Sequence, residues 1–339
     1  MTYALLLAVT VRLLALPPHA TIDPFGPRAL MAASTGQNVA ATVTIDGFLH
    51  GIAVWRAGRR VAMPHVPGSA AIAAFEADGR LLVNGDRPVR LTRASSRPID
   101  LRSCENFPQS SVGPVVAGVL SDGSVIATMR SPPTVDLDDT SGQYAPVVLH
   151  LRSNQCLNMG NGIALGTDGL YTAGYAAYIS GVPAPSNVVS AKERFVAMRW
   201  HDRTPQPLGN GVAIAVNASG MAVGSDVPPG EGFAFNATPH ARVWNAGSTA
   251  ALELAATAPL SVAYAVDERG RVTGMLEDRQ RRHYAFLWSG GRLRRLDDVV
   301  RAPGWRFECG YTFSPGGALI GIGTYHGAPE AFEIDGLSP

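Results

Sequence analysis

The sequence predicts an all-β fold, a β-propeller of six or seven four-stranded antiparallel blades. Three observations predict it. A hairpin of the form A-V-D-x-x-G-x-V-x-G recurs roughly every 45 residues. A third-strand motif ending in tryptophan recurs with it. Glycine (37) and proline (25) are plentiful, while charged residues make up only 16% of the chain. That balance suits short strands and tight turns better than long helices with charged i, i+4 pairs.

Residues 263–298 form the clearest unit. Residues 263–266 read as a strand, Asp267-Glu268-Arg269-Gly270 as a tight turn, and 271–277 as the return strand. Residues 283–288 read as a third strand, Ser289-Gly290-Gly291 as a second turn, and 292–296 as a more polar fourth strand. The turn glycine recurs at Gly47, Gly79, Gly123, Gly169, Gly220, Gly270 and Gly317, at intervals of 32, 44, 46, 51, 50 and 47. A hairpin residue with positive φ accounts for it. A second glycine, at Gly51, Gly174, Gly224, Gly274 and Gly321, implies a bulge or a close approach near the propeller axis.

Tryptophans close the third strands at Trp55, Trp200, Trp244 and Trp288. A residue at one fixed place in every blade reads as packing between blades, with a sugar-stacking platform as the alternative. The last unit stops after residues 331–334 without a fourth strand. A strand over 27–33 is expected to complete it, closing the ring and removing its edges.

Residues 1–20 read as a signal peptide: an apolar stretch from Ala4 to Leu16 is followed by Pro17-Pro18-His19-Ala20. The alternative is an ordinary first strand. The remainder, 21–339, reads as one propeller domain of about seven repeats. This predicts an extracellular or periplasmic monomer with no integral membrane segment after processing.

Basic residues number 28 and acidic residues 27, interspersed along the chain. No basic face is traceable, which argues against nucleic acid as a partner. Cys104 and Cys156 lie at similar points of successive repeats, so a disulfide between neighbouring blades and a pair of free thiols are both open. Cys309 falls at an inner-strand position. No metal-binding spacing, G-x-S-x-G or H-E-x-x-H occurs. No catalytic residue, metal or cofactor is therefore expected.

The unit at 263–298 resembles the HAF-repeat family of bacterial repeat proteins, named for a His-Ala-Phe run before Leu-Trp. His240-Ala241 followed by Trp244 keeps the His-Ala pair, and His283-Tyr284-Ala285-Phe286-Leu287-Trp288 keeps the rest with one inserted residue. The resemblance covers roughly residues 210–335. It implies an exported β-rich protein and transfers no catalytic residue.

Measured against the regular unit, the third to fifth blades carry extra length between their second and third strands. Long loops on a rigid scaffold are where binding concentrates. The candidate ligand-binding residues are Asp136, Asp138, Asp139 and Tyr144 in the third blade, Tyr178 in the fourth, and Glu231, Phe233 and Phe235 in the fifth. The leading expectation is an exported, non-enzymatic propeller that binds a protein or glycan there. A polysaccharide hydrolase or lyase and a structural envelope component are the alternatives.

Overall fold

The computed structural model describes residues 9–22, 30–32, 38–45, 49–63, 66, 70–85, 87–92, 94–99, 115–129, 146–152, 155–179, 182–183, 193–227, 238–255 and 257–337. They form seven antiparallel sheets, the larger of the two expected counts.

Strand β1 (Thr10–Leu14) belongs to the last blade. Blade 1 has β2 (Ala20–Thr21) and β3 (Leu30–Ala32) along one edge of β4 (Asn38–Ile45), then β5 (Leu49–Arg56) and β6 (Arg59–Val61). Blade 2 is β7 (Ala71–Phe75), β8 (Leu81–Asn84), β9 (Val89–Leu91) and β10 (Ser96–Pro98). Blade 3 is β11 (Val115–Val119), β12 (Val125–Met129), β13 (Val147–Arg152) and β14 (Gln155–Asn161). Blade 4 is β15 (Ile163–Asp168), β16 (Tyr171–Ile179) with the short β17 (Val182–Pro183) beside it, β18 (Glu193–His201) and β19 (Thr204–Asn210). Blade 5 is β20 (Val212–Val216), β21 (Ala222–Ser225), β22 (Ala241–Trp244) and β23 (Ala251–Glu253). Blade 6 is β24 (Leu260–Val266), β25 (Val272–Glu277), β26 (His283–Ser289) and β27 (Arg292–Arg295), followed by the single turn α1 (Leu296–Val299). Blade 7 is β28 (Trp305–Phe313), β29 (Leu319–Tyr325), β30 (Ala328–Asp335) and β1.

Two expectations are corrected here. The strand that completes the last blade is β1, not residues 27–33. Thr10 stands opposite Asp335 and Leu14 opposite Ala331, while β3 pairs with β4 inside blade 1. Leu14 is fully buried, Arg12 pairs with Glu333 at 2.5 Å, and the Leu16 N–H donates to Glu330 at 2.9 Å. The stretch 1–20 thus contains the strand that closes the ring.

The second correction concerns Gly47 and Gly51. Residues 46–48 join β4 to β5, which are second and third strands, and Gly51 lies in β5. The first-to-second-strand connection of blade 1 is 33–37, between β3 and β4, and lies outside the described residues.

The tryptophans pack rather than present a platform. Trp55, Trp200 and Trp244 are at most 1% exposed. The indole N–H donates to Ala15 O from Trp55 and to Met159 O from Trp200, both at 3.1 Å. Cys309 is a buried thiol in β28 that forms no disulfide. No helix among the described residues is long and apolar enough to cross a membrane.

Candidate functional site

The inner strands of blades 2–7 each carry an extra residue relative to their partner strand. It falls at Ala73, Ala117, Leu165, Ile214, Tyr264 and Tyr311, and β28 carries a second at Glu308. A bulge turns one side chain out of the pleat and leaves a backbone group unpaired. In blades 2–4 the N–H just before the bulge is satisfied by the preceding blade. Ile72 N donates to Thr42 Oγ1 (3.0 Å), Val116 N to Asn84 Oδ1 (2.8 Å) and Ala164 N to Thr128 Oγ1 (2.9 Å). Opposite the bulges stand Gly174, Gly224, Gly274 and Gly321. A Cβ there would lie 1.9–2.1 Å from a carbonyl oxygen of the inner strand. This is the tight approach that the second glycine implied.

The bulge residues of blades 5–7 are buried together. Ile214, Tyr264 and Tyr311 join Leu30, Val212, Val262 and Cys309 in one apolar cluster, with Leu165 packed against it. The Tyr264 and Tyr311 rings lie 5.3 Å apart. One apolar cluster therefore joins side chains of blades 1, 4, 5, 6 and 7.

At the end of the axis marked by the inner turns, two carboxyl groups meet. Asp168 ends β15 in blade 4, and Glu268 stands on the turn of blade 6, reaching across the turn of blade 5. Ala218 N on that middle turn donates to Glu268 Oε1 at 3.0 Å. Burial, then the hydrogen bond with Glu268 and then its charge, push the Asp168 carboxyl up to about 7. A carboxyl poised near neutrality can hold or release a proton under physiological conditions. The turns around it are laced together: Ser121 N donates to Gly169 O (2.8 Å), Asn217 Nδ2 to Asp267 O (3.0 Å) and Arg271 Nη2 to Gly317 O (2.7 Å). Nothing in local spacing links Asp168 to Glu268, which are 100 residues apart. Only ring closure brings them together.

The opposite end carries the connections between second and third strands. They span 3 and 4 residues in blades 1 and 2, then 17, 13 and 15 in blades 3–5, then 5 and 2 in blades 6 and 7. The excess falls on three consecutive blades, as the sequence implied. Asp136, Asp138, Asp139, Tyr144, Glu231, Phe233 and Phe235 lie outside the described residues. Tyr178 is in β16, half-buried, and packs with Val196 against the core between blades 3 and 4. The histidines of the His-Ala pairs sit at the loop bases. His240 Nδ1 lies 3.4 Å from Asp226 Oδ2, and His283 Nε2 lies 3.2 Å from Glu277 Oε2. Each pair joins the end of a second strand to the start of a third.

A further polar group is buried between blades 3 and 4. His150 and Ser124 face this interface from blade 3 and Thr172 faces it from blade 4, beside Ile126, Val148, Ala176 and Trp200. Both His150 nitrogens, Ser124 Oγ and Thr172 Oγ1 have no hydrogen-bond partner among the described residues. Burial lowers the imidazole pKa, against the pull of Asp202 and Asp122. In blade 4 the residue before the tryptophan is Arg199, which instead donates to Gly220 O and Asn245 O of blade 5.

Cys156 is disulfide-bonded. Cys104, the partner expected for it, lies outside the described residues. Among the described residues no group of three or more His, Cys, Asp or Glu side chains is placed to hold a metal ion.

No protein-family model matches the chain, and no curated protein matches its sequence. Solved structures match its fold. The β-propeller domain of the Trilobed protease from Pyrococcus furiosus, described as having an open velcro topology, superposes with a TM-score of 0.52 at 10% identity, covering 91% of this chain and 95% of that one. The Pyrococcus horikoshii acylaminoacyl peptidase superposes with a TM-score of 0.53 at 11% identity over 88% of this chain, which spans only 50% of that protein. An oligogalacturonate lyase in complex with manganese reaches a TM-score of 0.49 at 13% identity, over 96% of this chain and 92% of that one. Likeness at this identity speaks for the propeller fold alone.

Proposed function

We propose that this protein is an exported, non-enzymatic propeller that binds a protein or glycan through the face bearing the long connections of blades 3–5. The observation that carries this reading is the pattern of connection lengths, 17, 13 and 15 residues against 2–5 elsewhere. The Cys156 disulfide supports an oxidising compartment. Membership of the HAF-repeat family is part of the same proposal, resting on the His240 and His283 motifs. Whatever processing accompanies export, the closed ring needs Thr10–Leu14.

The test is a glycan and protein-ligand array probed with the whole chain and with a variant whose residues 131–144 and 229–237 are replaced by short glycine-containing turns. Ligands bound by the first and lost by the second support the reading. Equal binding by both overturns it. The Asp168–Glu268 pair favours a second reading, a polysaccharide hydrolase or lyase working at the other face. Polysaccharide cleavage by the whole chain that Asp168→Asn abolishes would establish it.

A further inference from the structure

Blade 6 departs from the balanced charge of the chain. Residues 279–296 contain six arginines and no acidic residue. The fold gathers them along one edge. Arg279, Arg281 and Arg282 stand on or beside the turn between β25 and β26, and Arg292, Arg294 and Arg295 lie on β27, the outermost strand of the blade. All six are exposed. With β26 seven residues long, the row runs about 20 Å from the turn to the far end of β27.

The row is held in shape. The Arg295 guanidinium lies 4.0 Å from the Tyr284 ring centroid and that of Arg282 lies 5.8 Å from it. The Tyr284 hydroxyl donates to Asp278 Oδ2 at 3.0 Å, and the same carboxylate pairs with Arg282 at 2.8 Å. Asp278 also caps the turn through the Gln280 and Arg282 N–H groups, at 2.8 and 3.0 Å. Arg281 adopts a φ of 59°, a place normally given to glycine or asparagine. The nearby carboxylates are otherwise engaged or lie beyond the row. Glu277 faces His283, and Asp297 and Asp298 follow β27 on α1. Arg279, Arg281, Arg292, Arg294 and Arg295 have no ion-pair partner among the described residues.

We propose that this outer edge of blade 6 is a docking strip for an acidic polysaccharide. Planar guanidiniums bind carboxylate and sulfate groups in a bidentate manner, and a row of them matches the repeated anions of such a polymer. Two observations favour a sugar polymer over nucleic acid. The Tyr284 ring is engaged by the Arg295 guanidinium at 4.0 Å and by that of Arg282 at 5.8 Å, while base stacking on free aromatic faces is what single-strand binders add to charge. The Cys156 disulfide suits the oxidising, extracytoplasmic side, where acidic glycans are found. The strip runs along the outer edge of blade 6 and includes none of the long connections of blades 3–5.

The test is binding of the whole protein to immobilised alginate and heparin, with dextran as the neutral polymer and single-stranded DNA as the rival polyanion. The expected result is binding to alginate or heparin and not to dextran, weakened about tenfold or more by raising salt from 50 to 300 mM. The variant R281Q/R294Q/R295Q should bind about tenfold more weakly, as expected for lost charge-assisted contacts. R59Q/R60Q/R97Q, an equal charge change on blades 1 and 2, should bind as the wild type, as should the variant with trimmed long connections. Circular dichroism of both arginine variants confirms the fold. No binding, tighter binding to DNA, or equal loss in the two arginine variants would overturn the proposal. Loss only in the trimmed variant would overturn it as well, while leaving the long-connection reading intact.

Discussion

Replacing Asp168 by asparagine isolates the carboxyl pair that joins blades 4 and 6. The Asp168 carboxyl titrates at about 7 in the fold, against a reference value of 3.8. Between these values the folded chain holds a proton that the unfolded chain has released. Stability therefore falls as pH rises from about 4 to about 7, and stays reduced above it. Fully expressed, the difference is about 4 kcal/mol, at about 1.4 kcal/mol per pKa unit. Glu268 is exposed, so solvent screens the pair and about 1–2 kcal/mol is expected. Asparagine is neutral at every pH and can donate its amide N–H to the Glu268 carboxylate. Asp168→Asn should match the wild type at pH 5 and exceed it at pH 8 by about 3–5 °C in melting temperature. Thermal melts of both proteins at pH 5, 6, 7 and 8 measure this, and taking the difference cancels what His150 and Asp297 contribute to each. A difference that does not change with pH, or a variant less stable at pH 8, would refute the raised pKa of Asp168.

Three more outcomes are expected. Gly274→Ala places a Cβ 1.9 Å from Val262 O and 2.9 Å from Phe286 Cε1, and should cost about 3 kcal/mol or more in chemical denaturation. His150 has a lowered pKa, so below about 6.5 the unfolded chain binds a proton the fold resists, and stability is lost as pH falls. His150→Leu, with the residue that blade 6 has at Leu287, should flatten that acid limb, read as melting temperature against pH. Removing residues 1–16 strips β1 from β30 and exposes its edge; the shortened chain should melt well below the whole chain, or aggregate on size-exclusion chromatography.

The sequence and the fold agree where a repeat has a reason to repeat. The turn glycines and inner-strand bulges recur through blades 2–7, and the tryptophan in blades 1, 4, 5 and 6, so Gly220, Gly274 and Trp244 announce themselves by spacing. Outer strands are demanded by none. Their side chains face water, as in β10 and β23, where all three residues are exposed, and many sequences serve. That is why β1 hid inside an apolar stretch resembling a leader. Its burial alternates poorly, with only Leu14 buried. The misplacement of Gly47 has a related cause. Blade 1 builds its inner edge from two fragments, β2 and β3, instead of one continuous strand. The site was legible in outline, because loop length can be counted along the chain. Asp168 with Glu268, and the arginine row of blade 6, depend on which strands and turns the ring sets side by side.

The long-connection face can be tested most directly by amide hydrogen exchange on the whole chain, with and without the strongest ligand from the array. Protection is expected in peptides covering 130–146, 180–192 and 226–240, with the inner turns unchanged. Protection confined to the turns at 168–171, 217–220 and 267–270 would place binding at the Asp168–Glu268 end and contradict the assignment.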